Sequence, residues 1–201
     1  MANVGKCLLF YLKYPAEMER LYEATERKLE ELPNSDRVLE KIDLIGDAAC
    51  REAADLLEIC APPIEEHFRK ISIVQRTRNN LAKMWELRFQ VAGTKGTSRG
   101  FQIGVSLEPR RAALVPWVWC RGGRAAEDHI IHILGRGTNA AKLDWDSGAV
   151  GLAEIKISIP ERLEEAVTCD SLVAEVQQVF ARFTAQHIKE IAGLSRDREE
   201  A

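Results

Sequence analysis

The sequence predicts an α+β fold: N-terminal helices, a central antiparallel sheet of about five strands, and a long C-terminal helix packed on the sheet. Three observations carry this expectation. Apolar residues recur at helical spacing to about residue 83, the period falls to two from Trp85 and holds in short segments to Ile159, and helical spacing returns after Pro160. The 201 residues, 46% of them apolar, suffice for one core, and no Pro/Gly/Ser-rich linker divides them. One domain over 1–201 is therefore expected, with a helical part at 15–83, a mainly antiparallel sheet at 84–159 and C-terminal helices at 160–195.

Pro15 suits a first helical turn, and Met18, Leu21, Tyr22, Leu29 and Leu32 follow at helical spacing until Pro33. Asn34 to Asp36 offer caps for a second helix, whose stripe is Val38, Ile42, Ile45, Ala49, Ala53, Leu56, Leu57 and Cys60. Pro62-Pro63 is expected to end it and open a third, with Glu65 and Glu66 in the first turn and Ile64, Phe68, Ile71, Val74 and Leu81 inside. Next, Trp85, Leu87, Phe89 and Val91 alternate with Glu86, Arg88 and Gln90, the pattern of a strand with one buried and one wet face. Gly93–Gly100 reads as a turn, Phe101, Ile103, Val105 and Leu107 as the returning strand, and Leu114 to Cys120 as a third, in which Pro116 predicts an edge or a bulge. Residues 125–134 read as a short helix. Leu143 and Trp145 with Leu152 to Ile159 suggest a hairpin around Ser147-Gly148, with Ile155, Ile157 and Ile159 inward. Pro160 opens a short helical piece, and Asp170 or Ser171 begins a long final helix bearing Leu172, Val176, Val179, Phe180, Phe183, Ile188 and Ile191.

Charge is the main functional signal. Residues 69–124 carry 12 Lys/Arg against two acids, net +10, while 1–68 and 125–201 are net −7 and −6. A near-neutral total thus conceals a basic middle, which points to an anionic partner: nucleic acid or an acidic protein surface. If the three strands form a meander, the first and third turns share one end of the sheet and bring together Lys95, Arg99, Arg121 and Arg124; Arg88, Arg110 and Arg111 extend the set. Trp85, Trp117 and Trp119 lie in the same stretch but are expected in the core, because Trp buries so much area. Self-association through the N-terminal helices and Val115-Pro116-Trp117 is a further possibility. No cofactor is expected for such a binding protein.

Other classes find little support. Cys7 to Leu12, the first apolar run, is six residues long, where a membrane span needs about 20. Charges follow at Lys13, Glu17 and Glu19 with no small-residue cleavage site, so neither a span nor a signal peptide is expected, and the location should be cytoplasmic. Five cysteines without a C-x-x-C pair read as buried small side chains. His129, His132 and Asp128 share a helical face but lack a further ligand at metal spacing, and His67 and His187 fall among apolar helix positions. No phosphate-binding loop, serine-hydrolase or zincin motif occurs.

One enzymatic alternative remains. Asp144, Asp146 and Glu154-Ile155-Lys156 place two acids ahead of an acid-x-Lys element. This resembles the PD-(D/E)XK nucleases, although no proline precedes the first acid. The resemblance implies Mg²⁺ held by Asp144, Asp146 and Glu154, with Lys156 assisting the attacking water.

Overall fold

The alternating segments build an antiparallel sheet in the computed structural model, which describes residues 2–20, 35–71, 73–76, 85–92, 101–120, 124–134, 141–142 and 148–194. Its strands are β1 (Ile73–Arg76), β2 (Glu86–Ala92), β3 (Phe101–Glu108), β4 (Ala113–Cys120), β5 (Ala141–Lys142), β6 (Ala149–Gly151) and β7 (Ile155–Lys156). The order is β1-β2-β3-β4-β6-β5, with β7 beside β4, and every pairing is antiparallel. Register aligns Leu87, Val105 and Pro116 in one row, Phe89, Ile103, Val118 and Val150 in the next, and Leu107, Leu114 and Ile155 in another. Period two puts all of these on one face.

That face receives the helices α1 (Lys6–Lys13), α3 (Ser35–Ile71), α4 (Arg124–Leu134), α5 (Cys169–Ala181) and α6 (Ala185–Leu194), while α2 (residues 15–20) directly follows α1. Leu8, Leu9, Leu56, Leu57, Ile64, Phe68, Ile130, Val176, Phe180 and Ile191 join the strand residues in one buried cluster. Phe68 anchors it against Phe180 and Phe183, at ring separations of 5.8 and 5.9 Å. Glu52 of α3 also fixes α1, accepting the Leu8 N–H at 2.7 Å as a carboxylate at a helix N-terminus. Gly5 leaves room for it, since a Cβ there would come within 2.0 Å of Glu52 Cδ.

Several expectations are corrected. Pro62-Pro63 does not end a helix; α3 runs through both prolines. The apolar stripe continues past them through Leu56, Leu57, Ile64 and Phe68, all at most 2% exposed. Each of these contributes roughly 1.5–3 kcal/mol by burial, enough to offset about 3 kcal/mol for each interior proline. The helical part does not reach residue 83, because Val74 lies in β1, paired with Val91. Cys7 to Leu12 belongs to a helix, α1.

The long C-terminal helix is two helices, α5 and α6. Thr184 accounts for the break: its Oγ1 accepts the His187 N–H at 3.2 Å, and its own N–H donates to His187 Nδ1 at 3.4 Å. This is a capping box with His in place of Glu or Gln. Residues 161–165 form turns rather than a helix. Pro116 is not at an edge, since β4 has β3 on one side and β6 and β7 on the other. Its carbonyl accepts the Leu152 N–H at 2.8 Å, so its missing donor faces the gap where the chain leaves β6 before forming β7. The predicted helix at 125–134 forms as α4. Ile155 and Ile157 are buried and Glu154, Lys156 and Ser158 exposed, as the alternation requires; a hairpin forms between β5 and β6, while β7 pairs with β4. Leu143 and Trp145 lie outside the described residues.

Candidate functional site

Register decides which of the basic side chains are neighbours. Ala92 pairs with Ile73, and Phe101 with Cys120, so the ends of β2 and β4 and the start of β3 lie together. Residues 93–100 and 121–123 depart from this end. Lys95, Arg99 and Arg121 are among them and lie outside the described residues. Arg124, exposed, opens α4 at the same end. A cation in the first turn is unfavourable to the helix dipole, so helix stability does not explain its placement.

Arg110 and Arg111 are at the opposite end, in the turn between β3 and β4. Arg110 Nη2 donates to both carboxylate oxygens of Glu19 at 2.7 and 2.9 Å. Arg111 lies 3.6 Å from Glu154. Acids of both flanks therefore pair with these two.

Arg88 belongs to neither end. It lies on the second face of the sheet, whose residues do not join the helix-packed core. Here register aligns Glu86, Ser106 and Val115; then Arg88, Gly104, Trp117 and Gly151; then Gln75, Gln90, Gln102, Trp119 and Ala149. Trp117 lies across Gly104, where an added Cβ would meet its Cζ2 at 2.3 Å and the Leu87 carbonyl oxygen at 2.5 Å. Its indole N–H donates to Ser106 Oγ at 2.8 Å, and the Arg88 guanidinium lies 5.6 Å from its ring centroid. Glu86, only 5% exposed, holds Arg88 through an ion pair. The face expected to be wet is thus buried in its middle row.

The third row differs. Gln90, Gln102 and Trp119 each keep part of their surface exposed. Gln90 Nε2 and Trp119 Nε1 are buried donors without a hydrogen-bond partner among the described residues. Buried donors are rarely left so, because each costs about 1–3 kcal/mol. Sequence reasoning missed this row. Its signal was present in the polar phase of two paired strands, Gln90 and Gln102, meeting the aromatic phase of a third.

The three tryptophans have three environments. Trp117 is 1% exposed. Trp119 is partly exposed. Trp85 immediately precedes β2 in the left-handed region, φ 50°, with its ring 5.2 Å from that of Tyr11 and its carbonyl accepting Leu107 N–H at 2.8 Å.

Of the nuclease-like residues, Asp144 and Asp146 lie outside the described residues. Glu154 and Lys156 form an ion pair, and Lys156 Nζ donates to the Arg111 carbonyl at 3.2 Å. The hydrogen bond from Lys156 lowers the Glu154 carboxyl below its ordinary pKa. Among the described residues no three His, Cys, Asp or Glu side chains converge on a position for a metal ion, which includes Asp128, His129 and His132. Cys60, Cys120 and Cys169 are buried, and burial pushes the Cys60 thiol up to about 12, away from nucleophilic chemistry. No described helix is long and apolar enough to cross a membrane.

No family model, curated protein or solved structure matches the chain.

Proposed function

We propose that the chain is a non-catalytic, cytoplasmic nucleic-acid-binding protein, and that its contact surface is the end of the sheet from which residues 93–100 and 121–123 depart. One observation carries this reading: the register of β2, β3 and β4 brings both basic, glycine-containing connections to the end that also bears exposed Arg124. Lys95, Arg99, Arg121 and Arg124 supply four cations there, matched to a phosphate backbone rather than to a single anion. The internal pairing of Arg110 with Glu19 and Arg111 with Glu154 supports the same assignment, because it spends the fold's own acids at the opposite end.

The test is a titration of labelled oligonucleotides with the full chain, alongside polyglutamate as an acidic polypeptide. Tight binding of the oligonucleotide, weakened at least tenfold when Lys95, Arg99, Arg121 and Arg124 are all replaced by Ala, is the expected result. Equal or stronger binding of polyglutamate would move the assignment to an acidic protein partner.

A further inference from the structure

We infer that the joint between α5 and α6 is a proton-operated latch, closed while His187 is neutral and released when its Nδ1 takes up a proton. The Phe183–Thr184 peptide carries the inference, because a histidine holds each of its polar groups. His67 of α3 donates from Nε2 to the Phe183 carbonyl at 3.0 Å, and the Thr184 N–H donates to His187 Nδ1 at 3.4 Å. The two bonds respond differently to acid. A ring nitrogen that donates to a carbonyl still donates when the imidazole becomes charged, so His67 keeps its bond in either state. An acceptor needs a free lone pair. His187 Nδ1 faces an N–H, which fixes the ring as the neutral Nε2–H tautomer, and protonation there sets donor against donor.

The first turn of α6 holds nothing to offset that loss. Thr184 Oγ1 accepts the His187 N–H at 3.2 Å, but the turn has no acidic residue, and a cation at this helix N-terminus opposes the dipole. Lost acceptor and unfavourable charge act in the same direction. The cap is therefore complete where His187 is neutral and weakens as pH falls through the range in which histidine becomes charged. His187 is half-buried, with its ring edge-on to that of Phe183 at 6.4 Å, so a proton reaches it without opening the core. Fraying of this turn reaches Ile188, the first core residue of α6. The helix packs on α4 and β4, and its Ile191 carbonyl accepts from Cys120 Sγ at 3.5 Å, so the latch holds the cover over the last residue of β4.

Other titratable groups surround the joint. On α6, Lys189 and Glu190 are exposed, with Glu190 accepting from Gln186 Nε2 at 2.6 Å, and exposed Arg182 precedes Phe183. α3 brings His67 and the Glu66–Lys70 ion pair. α4 brings Asp128, His132, Glu127, which accepts the Gly148 N–H, and His129, whose Nδ1 donates to the Ala125 carbonyl. β4 adds Cys120. His67, His129 and His132 gain charge over the same range, so only a variant at His187 itself separates its effect from theirs.

The experiment follows backbone amide hydrogen exchange by NMR in the full chain at about pH 5 and about pH 8, each rate taken relative to an unstructured peptide, with imidazole nitrogen shifts reporting the tautomer. At the higher pH His187 should be the Nε2–H tautomer. Protection of the Thr184 and His187 amides should fall about fivefold at the lower pH, the factor that a typical helix cap supplies. His187→Gln, with folding checked by circular dichroism, should keep constant protection, because its side-chain oxygen accepts the same N–H without titrating, as in the ordinary capping box. His67→Gln should show the wild-type fall. An Nδ1–H tautomer, protection in the wild-type chain that does not change with pH, or an equal fall in folded His187→Gln would overturn the inference.

Discussion

Trp117 and Trp119 share a strand and a face, yet one is structural and the other has unused capacity. Trp117→Ala removes a buried ring, its bond to Ser106 and the seat of Arg88, so a loss of about 3–5 kcal/mol in urea unfolding is expected. Gly104→Ala should act through the same contact. The new methyl meets both a buried indole and a backbone oxygen, neither of which can yield cheaply, and overpacking of this kind costs about 1–3 kcal/mol or more. Glu108 offers a pH-dependent check. Burial raises its carboxyl above the ordinary value, with Arg111 opposing and Glu154 adding to the shift. Its contribution to stability is therefore fully present below the ordinary carboxylate pKa and lost as pH rises through the raised one. Glu108→Gln should accordingly improve stability relative to wild type more at pH 7 than at pH 4, as read by urea midpoints at the two values.

At the scale of elements, the two prolines of α3 make the clearest prediction. Pro62 is exposed and Pro63 half-buried, so their rings contribute less packing than their backbone conflict costs; Pro62→Ala should raise stability by about 1–3 kcal/mol in the same assay. Thr184→Ala should lower it by about 1 kcal/mol, because the cap that starts α6 is lost. These two places also mark where the sequence was hard to read. A double proline is a strong local signal against a helix, but tertiary burial of Leu57, Ile64 and Phe68 outweighs it. The α5–α6 break has a weak signal, since His187 stands where a capping box has Glu or Gln. By contrast, β2, β3 and β4 were legible to within a residue or two, because alternation of Leu87, Phe89, Ile103 and Val105 with polar neighbours has no helical counterpart. β5 and β7, at two residues each, are too short to carry a period. The row of Gln90, Gln102 and Trp119 was illegible for another reason: it depends on register between strands, which no single segment encodes.

Across the whole molecule, charge is segregated along the chain. A chain of net −3 keeps +10 in residues 69–124, and the fold cancels part of it at one end through Glu19 and Glu154 while the basic connections leave from the other. On the proposed non-catalytic reading, purified protein with Mg²⁺ or Mn²⁺ should leave bound DNA and RNA uncut; cutting abolished by Lys156→Ala would instead favour the nuclease resemblance. The proposed binding function requires Lys95, Arg99, Arg121 and Arg124 to contact phosphates together. Its most direct test is the salt dependence of single-strand binding. For four contacts at about −0.7 each, log K should fall with log salt at a slope near −3, and the variant with all four replaced by Ala should bind with a slope near zero and unchanged stability. A slope of the same steepness in the fourfold variant would contradict the account.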